Sequence, residues 1–152
     1  MQPDATLAAP PVQEAGLKVR VMGPDSPGPS SADLRRLFGG RRLSATRRDR
    51  LVGGGRVVAY AAGRVVGLAA YERLESQLRV HELGIDDRAP DGPSAVAATL
   101  LDALEVACLA GGCRQLILLP HGPVDERSLA ARGFRRVGGG DTARAYLKVF
   151  AI

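Results

Sequence analysis

Hydrophobic residues alternate with polar ones in short runs in the first half of the chain. Apolar side chains occupy every second position of Leu17–Met22, which predicts a first strand. The β-rich runs Arg56–Ala61 and Arg64–Glu72 are joined by Ala62-Gly63, a pair that predicts a tight hairpin turn. A third run, Leu78–Ile85, extends this predicted sheet as a meander.

The clearest helical pattern follows a loop over residues 86–93. Apolar residues recur at three- and four-residue intervals between Ser94, a candidate N-cap, and Gly111-Gly112, which ends the segment. The apolar run Leu116–Leu119 is typical of a strand that is buried on both faces and parallel to its neighbour. Strand, helix and strand over Leu78–Leu119 therefore predict a right-handed crossover unit.

Shorter elements complete the predicted domain, which spans residues 17–152. Residues 1–16 contain three prolines without sustained periodicity and predict a flexible leader. Short helices are predicted over Ser31–Phe38, Ser44–Val52 and Glu126–Arg132. Closing strands are predicted over Arg135–Val137 and Ala143–Phe150.

Composition narrows the class of protein. With 152 residues, 45% hydrophobic and 24% charged, the chain has the balance of one globular domain. No apolar run approaches the ~20 residues of a membrane helix, and the first residues do not resemble a secretory signal, so we expect a cytoplasmic protein without a membrane partner. The spacings of Cys108 and Cys113, and of His81 and His121, match no metal or redox motif, and we expect no metal.

Positive charge is concentrated between Arg35 and Arg50. This span contains seven arginines and one acidic residue, Asp49, and the whole chain carries a formal charge of +5. Such a patch attracts nucleic acid, an acidic protein or a polyphosphate cofactor. Because Phe38 is the one aromatic residue among the arginines, a solvated face is favoured over a nucleic-acid site. The charge also favours an acidic or phosphorylated substrate.

Four stretches, in their order and spacing, resemble the GNAT N-acetyltransferase family. They are the hairpin Val57–Gly67, the strand His81–Ile85, the helical segment Ala95–Leu101 and the turn Ala131–Phe134. The resemblance implies an α/β (α+β) fold of GNAT type, with a mixed, mostly antiparallel central sheet flanked by helices. It also implies acetyl transfer from acetyl-CoA to the primary amine of a small molecule or protein.

The resemblance places the cofactor between the strand and the following helix. In the family, the pantetheine arm pairs with the strand backbone, and the pyrophosphate binds at the helix start, where unpaired amides and the helix dipole favour anions. Here Gly92 stands where the family has a basic residue, Ala95 replaces a glycine, and Pro93 lacks an N–H. Arg88 is a candidate replacement for the missing charge. The residues implied are Leu83, Gly84, Ile85, Arg88, Gly92, Ser94, Ala95, Val96 and Ala97.

Ser94 has a second interpretation, in which its hydroxyl caps the helix and occupies the amide that phosphate would use. Both interpretations remain open from the sequence.

Removal of a proton from the attacking amine requires a base, and Glu82 is our candidate because the family often places its base in this strand. The alternative is a rim carboxylate paired with Arg64, Arg79 or Arg88. His81 is expected on the opposite face of the sheet unless a β-bulge changes the alternation.

The group that protonates the leaving thiolate is not apparent, because the family's tyrosine is replaced by Leu129 and its asparagine by Gly122. Tyr71 and Tyr146 could reach the site from neighbouring strands. These departures leave open a non-catalytic domain that senses acyl-CoA or binds a protein partner. The final strands, Ala143–Ile152, could also pair across a homodimer.

Overall fold

The computed structural model of the chain describes residues 16–23, 25–26, 28–38, 44–46, 49, 51, 55–119, 124–138 and 145–150. These residues form seven strands and three helices. The strands are β1 Leu17–Met22, β2 Gly55–Ala61, β3 Arg64–Leu74, β4 Gln77–Ile85, β5 Gln115–Leu118, β6 Arg135–Val137 and β7 Ala145–Val149, and the helices are α1 Ser31–Leu37, α2 Pro93–Ala110 and α3 Glu126–Ala131. Nearly all of the predicted leader lies outside the described residues. Of the predicted helix Ser44–Val52, residues 47, 48, 50 and 52 lie outside them, and residues 45, 46, 49 and 51 are helical.

All seven strands belong to one sheet in the order β1-β2-β3-β4-β5-β7-β6. Only β4 and β5 run parallel, and the other neighbours are antiparallel. The predicted hairpin turn is confirmed, since Ala62 and Gly63 both adopt positive φ values of 51° and 77°. The mixed, mostly antiparallel sheet flanked by helices confirms the predicted fold class.

The crossover unit is confirmed, with α2 connecting β4 to the parallel strand β5. The expectation that β5 is buried on both faces is wrong, because Leu116 and Leu118 are buried whereas Ile117 is partly exposed. Strand β7 lies between β5 and β6. Because Tyr146 and Leu147 are paired on both edges, this part of β7 cannot pair across a homodimer without displacing a neighbour.

Helix α2 begins one residue before the predicted cap. Gly92 occupies the N-cap with φ 87°, and Pro93 follows at the first helical position, where its missing N–H costs no hydrogen bond. By length and composition alone, α2 could cross a membrane. In the fold, eight of its residues are buried, and the helix packs against the sheet.

Helix α1 is capped by Ser30, whose hydroxyl accepts a hydrogen bond from the Asp33 amide at 3.0 Å. Its side-chain oxygen thereby satisfies one of the unpaired amides of the first turn.

Two apolar cores lie on opposite faces of the sheet. The larger joins α2 to the sheet and includes Cys108 and Cys113, both fully buried. Burial and the adjacent Cys113 raise the pKa of the Cys108 thiol to about 11, so it carries little thiolate at neutral pH. The smaller core joins α1 to the other face through Leu34 and Leu37.

Candidate active site

A crevice opens where β4 and β5 separate. Their pairing ends with Val80 opposite Leu118, and the Leu119 amide donates to the Val80 carbonyl at 3.1 Å as the last link. Strand β4 continues for five more residues to Ile85. Within the described ranges, no strand pairs with this stretch on its β5 side. Its edge therefore offers backbone N–H and C=O groups to an extended ligand.

The start of α2 provides a second binding feature at the end of β4. No side chain caps this helix start, and its first turn contains no acidic residue. The Val96 amide donates to the Gly92 carbonyl at 3.2 Å, which leaves the amides of Ser94 and Ala95 without a capping side chain. The capping interpretation of Ser94 is therefore wrong. Unpaired amides and the positive end of the helix dipole together make an anion site.

The predicted cofactor residues contribute mainly through their backbone. The side chains of Leu83, Ile85, Val96 and Ala97 belong to the core between α2 and the sheet, which makes them unavailable to a ligand. Gly92 adopts a positive φ that strains any other residue type. The basic residue that the family carries here would therefore be strained in this loop.

The cofactor role of Arg88 at the helix start stays a prediction. Its backbone amide donates to Asp86 Oδ1 at 2.9 Å, and its side chain lines a cleft together with Arg35, Arg36 and Arg64. The convergence of these arginines was not predictable from the sequence, because they come from three separate segments that the fold brings together.

A β-bulge sets the orientation of the candidate bases. Glu82 pairs with Ala70 while Val80 pairs with Tyr71, so His81 is an extra residue in β4. Glu82 therefore lies on the face of Ala70, which packs in the core beneath α1. His81 Nε2 lies 3.4 Å from Glu72 Oε1 on that same face. The expectation that His81 and Glu82 lie on opposite faces is therefore wrong, because the bulge changes the alternation.

Glu82 is 3% exposed, and it is therefore not the rim carboxylate of the alternative interpretation. Since burial strengthens electrostatic interactions, a carboxylate at this depth can interact strongly with a bound amine.

Gly84 permits α1 to pack closely over β4. A Cβ at this position would lie 2.7 Å from Phe38 Cζ and 3.0 Å from the Leu37 carbonyl oxygen. The end of α1 thereby closes the sheet face two residues beyond Glu82. Gly84 thus has a packing role besides the backbone role implied by the resemblance.

We expect Gly84→Ala to destabilise the protein by about 1–3 kcal/mol, because the added methyl group must displace Phe38 and backbone of α1. Gly23→Ala is the matched control, since a Cβ there meets nothing within 4 Å and should change stability by less than ~0.5 kcal/mol. Urea unfolding of both variants measures the difference. Equal free energies of unfolding would show that α1 moves to accommodate the methyl group without a loss of stability.

Two tyrosines were candidates for the acid. Tyr71 packs against the core between α2 and the sheet, and burial raises its pKa. Tyr146 lies opposite Leu118, where β4 and β5 separate, and its hydroxyl lies 3.2 Å from Glu126 Oε1. Leu129, at the family's tyrosine position, is buried in the core. His121 and Gly122 fall outside the described residues.

Neither a protein-family model nor a curated protein matches this sequence. Solved structures do match. N-acetylglutamate synthase from Neisseria gonorrhoeae, complexed with coenzyme A and N-acetyl-glutamate, superposes with a TM-score of 0.64 over 91% of this chain at 13% identity. Ard1 from Thermoplasma volcanium gives 0.62 over 90% of this chain and 99% of its own, at 17% identity. The chain has the GNAT fold.

Another solved structure with the GNAT fold matches this chain over a similar length. The PaiA N-acetyltransferase from Thermoplasma acidophilum, solved in complex with coenzyme A, matches 89% of this chain and 99% of its own with a TM-score of 0.59 and 10% identity. By contrast, this chain spans 36% of the N-acetylglutamate synthase chain. The GNAT fold positions the crevice and the helix start described above at the carboxyl end of β4.

Proposed function

We propose that this protein is an N-acetyltransferase that transfers the acetyl group of acetyl-CoA to a primary amine. The observation that carries the proposal is the separation of β4 from β5 beside an uncapped helix start. Structures with the same fold include acetyltransferases solved with coenzyme A.

The two features fit the two chemical parts of acetyl-CoA. The free edge of β4 at Leu83, Gly84 and Ile85 offers backbone hydrogen bonds to the amides of the pantetheine arm. The amides of Ser94 and Ala95 offer donors to the pyrophosphate. Because backbone groups make both sets of contacts, the departures from the family's side-chain pattern do not remove the binding site.

When bound, acetyl-CoA supplies an acetyl group activated as a thioester. Glu82 is the residue we assign to accept the proton of the attacking ammonium, since it is buried on the face of β4 beneath α1. Tyr146 is the residue we assign to donate a proton to the leaving thiolate, because it lies opposite the last paired residue of β5. The Tyr146 hydroxyl donates to Glu126 Oε1 at 3.2 Å, so this hydrogen bond must break before Tyr146 can donate its proton to the thiolate.

We expect acetyl-CoA to raise the melting temperature by about 5 °C or more at 100 times its dissociation constant, because a ligand that binds only the folded state stabilises it by about 2.7 kcal/mol at this excess. Differential scanning fluorimetry with increasing acetyl-CoA measures the shift. The absence of any shift at millimolar acetyl-CoA would contradict the proposal.

A second assay separates catalysis from binding alone. Release of free thiol from acetyl-CoA is followed with a panel of amines and peptides, including acidic and phosphorylated ones. Thiol release with an acceptor supports the transferase. Binding without turnover on any acceptor favours the non-catalytic domain that senses acyl-CoA.

A further inference from the structure

A cleft of about 610 Å³ lies between α1, the β2–β3 turn and the loop that follows β4. Four guanidinium groups line it, those of Arg35, Arg36, Arg64 and Arg88. We call this feature the arginine cleft. Its volume falls within the range of small-molecule binding sites, about 300–1,000 Å³.

Asp86 fixes one wall of the arginine cleft. It is 6% exposed, its Oδ1 accepts the Arg88 amide at 2.9 Å, and its Oδ2 lies 3.4 Å from Arg36 Nε. Arg36 also donates to the Val65 carbonyl at 2.7 Å and to Asp33 Oδ1 at 2.9 Å. These contacts hold the Arg36 guanidinium and the loop backbone in place before any ligand arrives, which lowers the entropic cost of binding.

The other three arginines of the cleft differ from Arg36 in their ion pairing and exposure. Within the described residues, Arg35, Arg64 and Arg88 form no ion pair. All three are exposed. Besides Asp86, the one carboxylate among the lining residues is that of Asp87, so the cleft has an excess of positive charge. Guanidinium groups bind phosphate oxygens through paired hydrogen bonds, and several together select phosphate over a single carboxylate.

The arginine cleft is separate from the acetyl-CoA crevice. The crevice lies along the β5-facing edge of β4, whereas the wall of the cleft formed by Ala62 and Arg64 lies on the β3 side of β4. At this end of the sheet, Gly67 pairs with Ile85, so β3 covers the edge of β4 between the two. The packing of α1 over Gly84 separates the cleft from Glu82 along the sheet face.

We propose that the arginine cleft is a second anion site, which binds the phosphate group of a small molecule other than acetyl-CoA. The proposal does not depend on the acetyltransferase activity, because the residues of the cleft lie outside the crevice. It does predict that binding at one site affects binding at the other, because Asp86–Pro90 form a wall of the cleft and the N-cap of α2 follows at Gly92.

The test uses inorganic pyrophosphate, titrated calorimetrically into the full chain at about 50 mM salt. Saturating coenzyme A is present, so that the start of α2 is occupied. We expect Arg35→Gln/Arg64→Gln to weaken pyrophosphate binding at least ~10-fold, as the loss of two charge-assisted contacts requires. Arg127→Gln/Arg135→Gln is the matched control, because it removes two exposed arginines that do not line the cleft, and it should bind like the parent.

A third variant works in the opposite direction. Asp87→Asn removes a negative charge from the arginine cleft, and we expect it to tighten pyrophosphate binding several-fold. Equal binding by the parent and Arg35→Gln/Arg64→Gln would overturn the proposal, as would an absence of pyrophosphate binding at this salt concentration. Complete displacement of pyrophosphate by coenzyme A, with the same double variant weakening coenzyme A, would also overturn it by assigning the cleft to the cofactor. If the chain does not bind coenzyme A, the comparison of variants without it still decides.

Discussion

Replacing Glu82 by glutamine should lower turnover about 100-fold or more while leaving the affinity for acetyl-CoA nearly unchanged. Glutamine keeps the shape of the buried side chain but cannot accept the proton of the attacking ammonium, and a general base contributes about 10²–10⁴-fold to the rate. Thiol release with an acceptor found by screening measures turnover, and calorimetry measures the dissociation constant of acetyl-CoA.

Glu72→Gln is the control for this variant, because Glu72 lies on the same face and contacts His81 but is half-exposed. Its turnover should stay within a few-fold of the parent. Full activity of Glu82→Gln would show that Glu82 is structural. In that case a larger loss in Glu72→Gln than in Glu82→Gln would identify His81, which the bulge places on this face, as the base.

A negative charge at the start of α2 should have opposite effects on stability and on cofactor binding. Ser94→Asp places a carboxylate in the first turn, where it interacts favourably with the helix dipole and stabilises the free protein by about 0.3–1 kcal/mol. The same charge repels the pyrophosphate, and we expect the dissociation constant of acetyl-CoA to rise at least ~10-fold. Thermal unfolding without ligand and calorimetry with acetyl-CoA measure the two effects.

Val106→Asp is the matched control, since Val106 is exposed on the same helix but lies far from its start. It adds the same charge and should leave acetyl-CoA affinity unchanged. If Ser94→Asp also leaves the affinity unchanged, the cofactor phosphates do not bind at the start of α2, and that part of the proposed site is wrong.

The sequence was sufficient for elements whose signals are local. Ala62-Gly63 requires a turn that can adopt positive φ, and the spacing of apolar residues in α2 requires one buried face. The parallel pairing of β5 followed from its position after a helix, because such a connection returns the chain to the end of the sheet where the preceding strand began.

Features that depend on pairing between distant segments were not predictable in the same way. The bulge at His81 exists because of the register between β3 and β4, and strict alternation placed His81 on the wrong face. The capping of α2 was misassigned to Ser94, because the sequence does not show that Gly92 adopts positive φ and allows Pro93 to begin the helix.

For the candidate site, the sequence and the resemblance identified the strand and the helix that form the crevice. They did not show that Glu82 is buried or that Gly84 lies beneath Phe38, since both depend on how α1 packs over β4. The arginine cleft has the same origin. Its charges are visible in the sequence, but their convergence around Asp86 is a consequence of tertiary packing.

The separation of β4 from β5 also divides the sheet into two hydrogen-bonded units. Strands β1 to β4 form one antiparallel unit and β5 to β7 form the other, and the direct strand pairing between them extends over only Gln77–Val80 and Gln115–Leu118. Widening the crevice therefore breaks no strand pairing within either unit. A ligand that contacts both units would link them across the crevice, and the mechanical stiffness of the whole sheet would then depend on whether the crevice is filled.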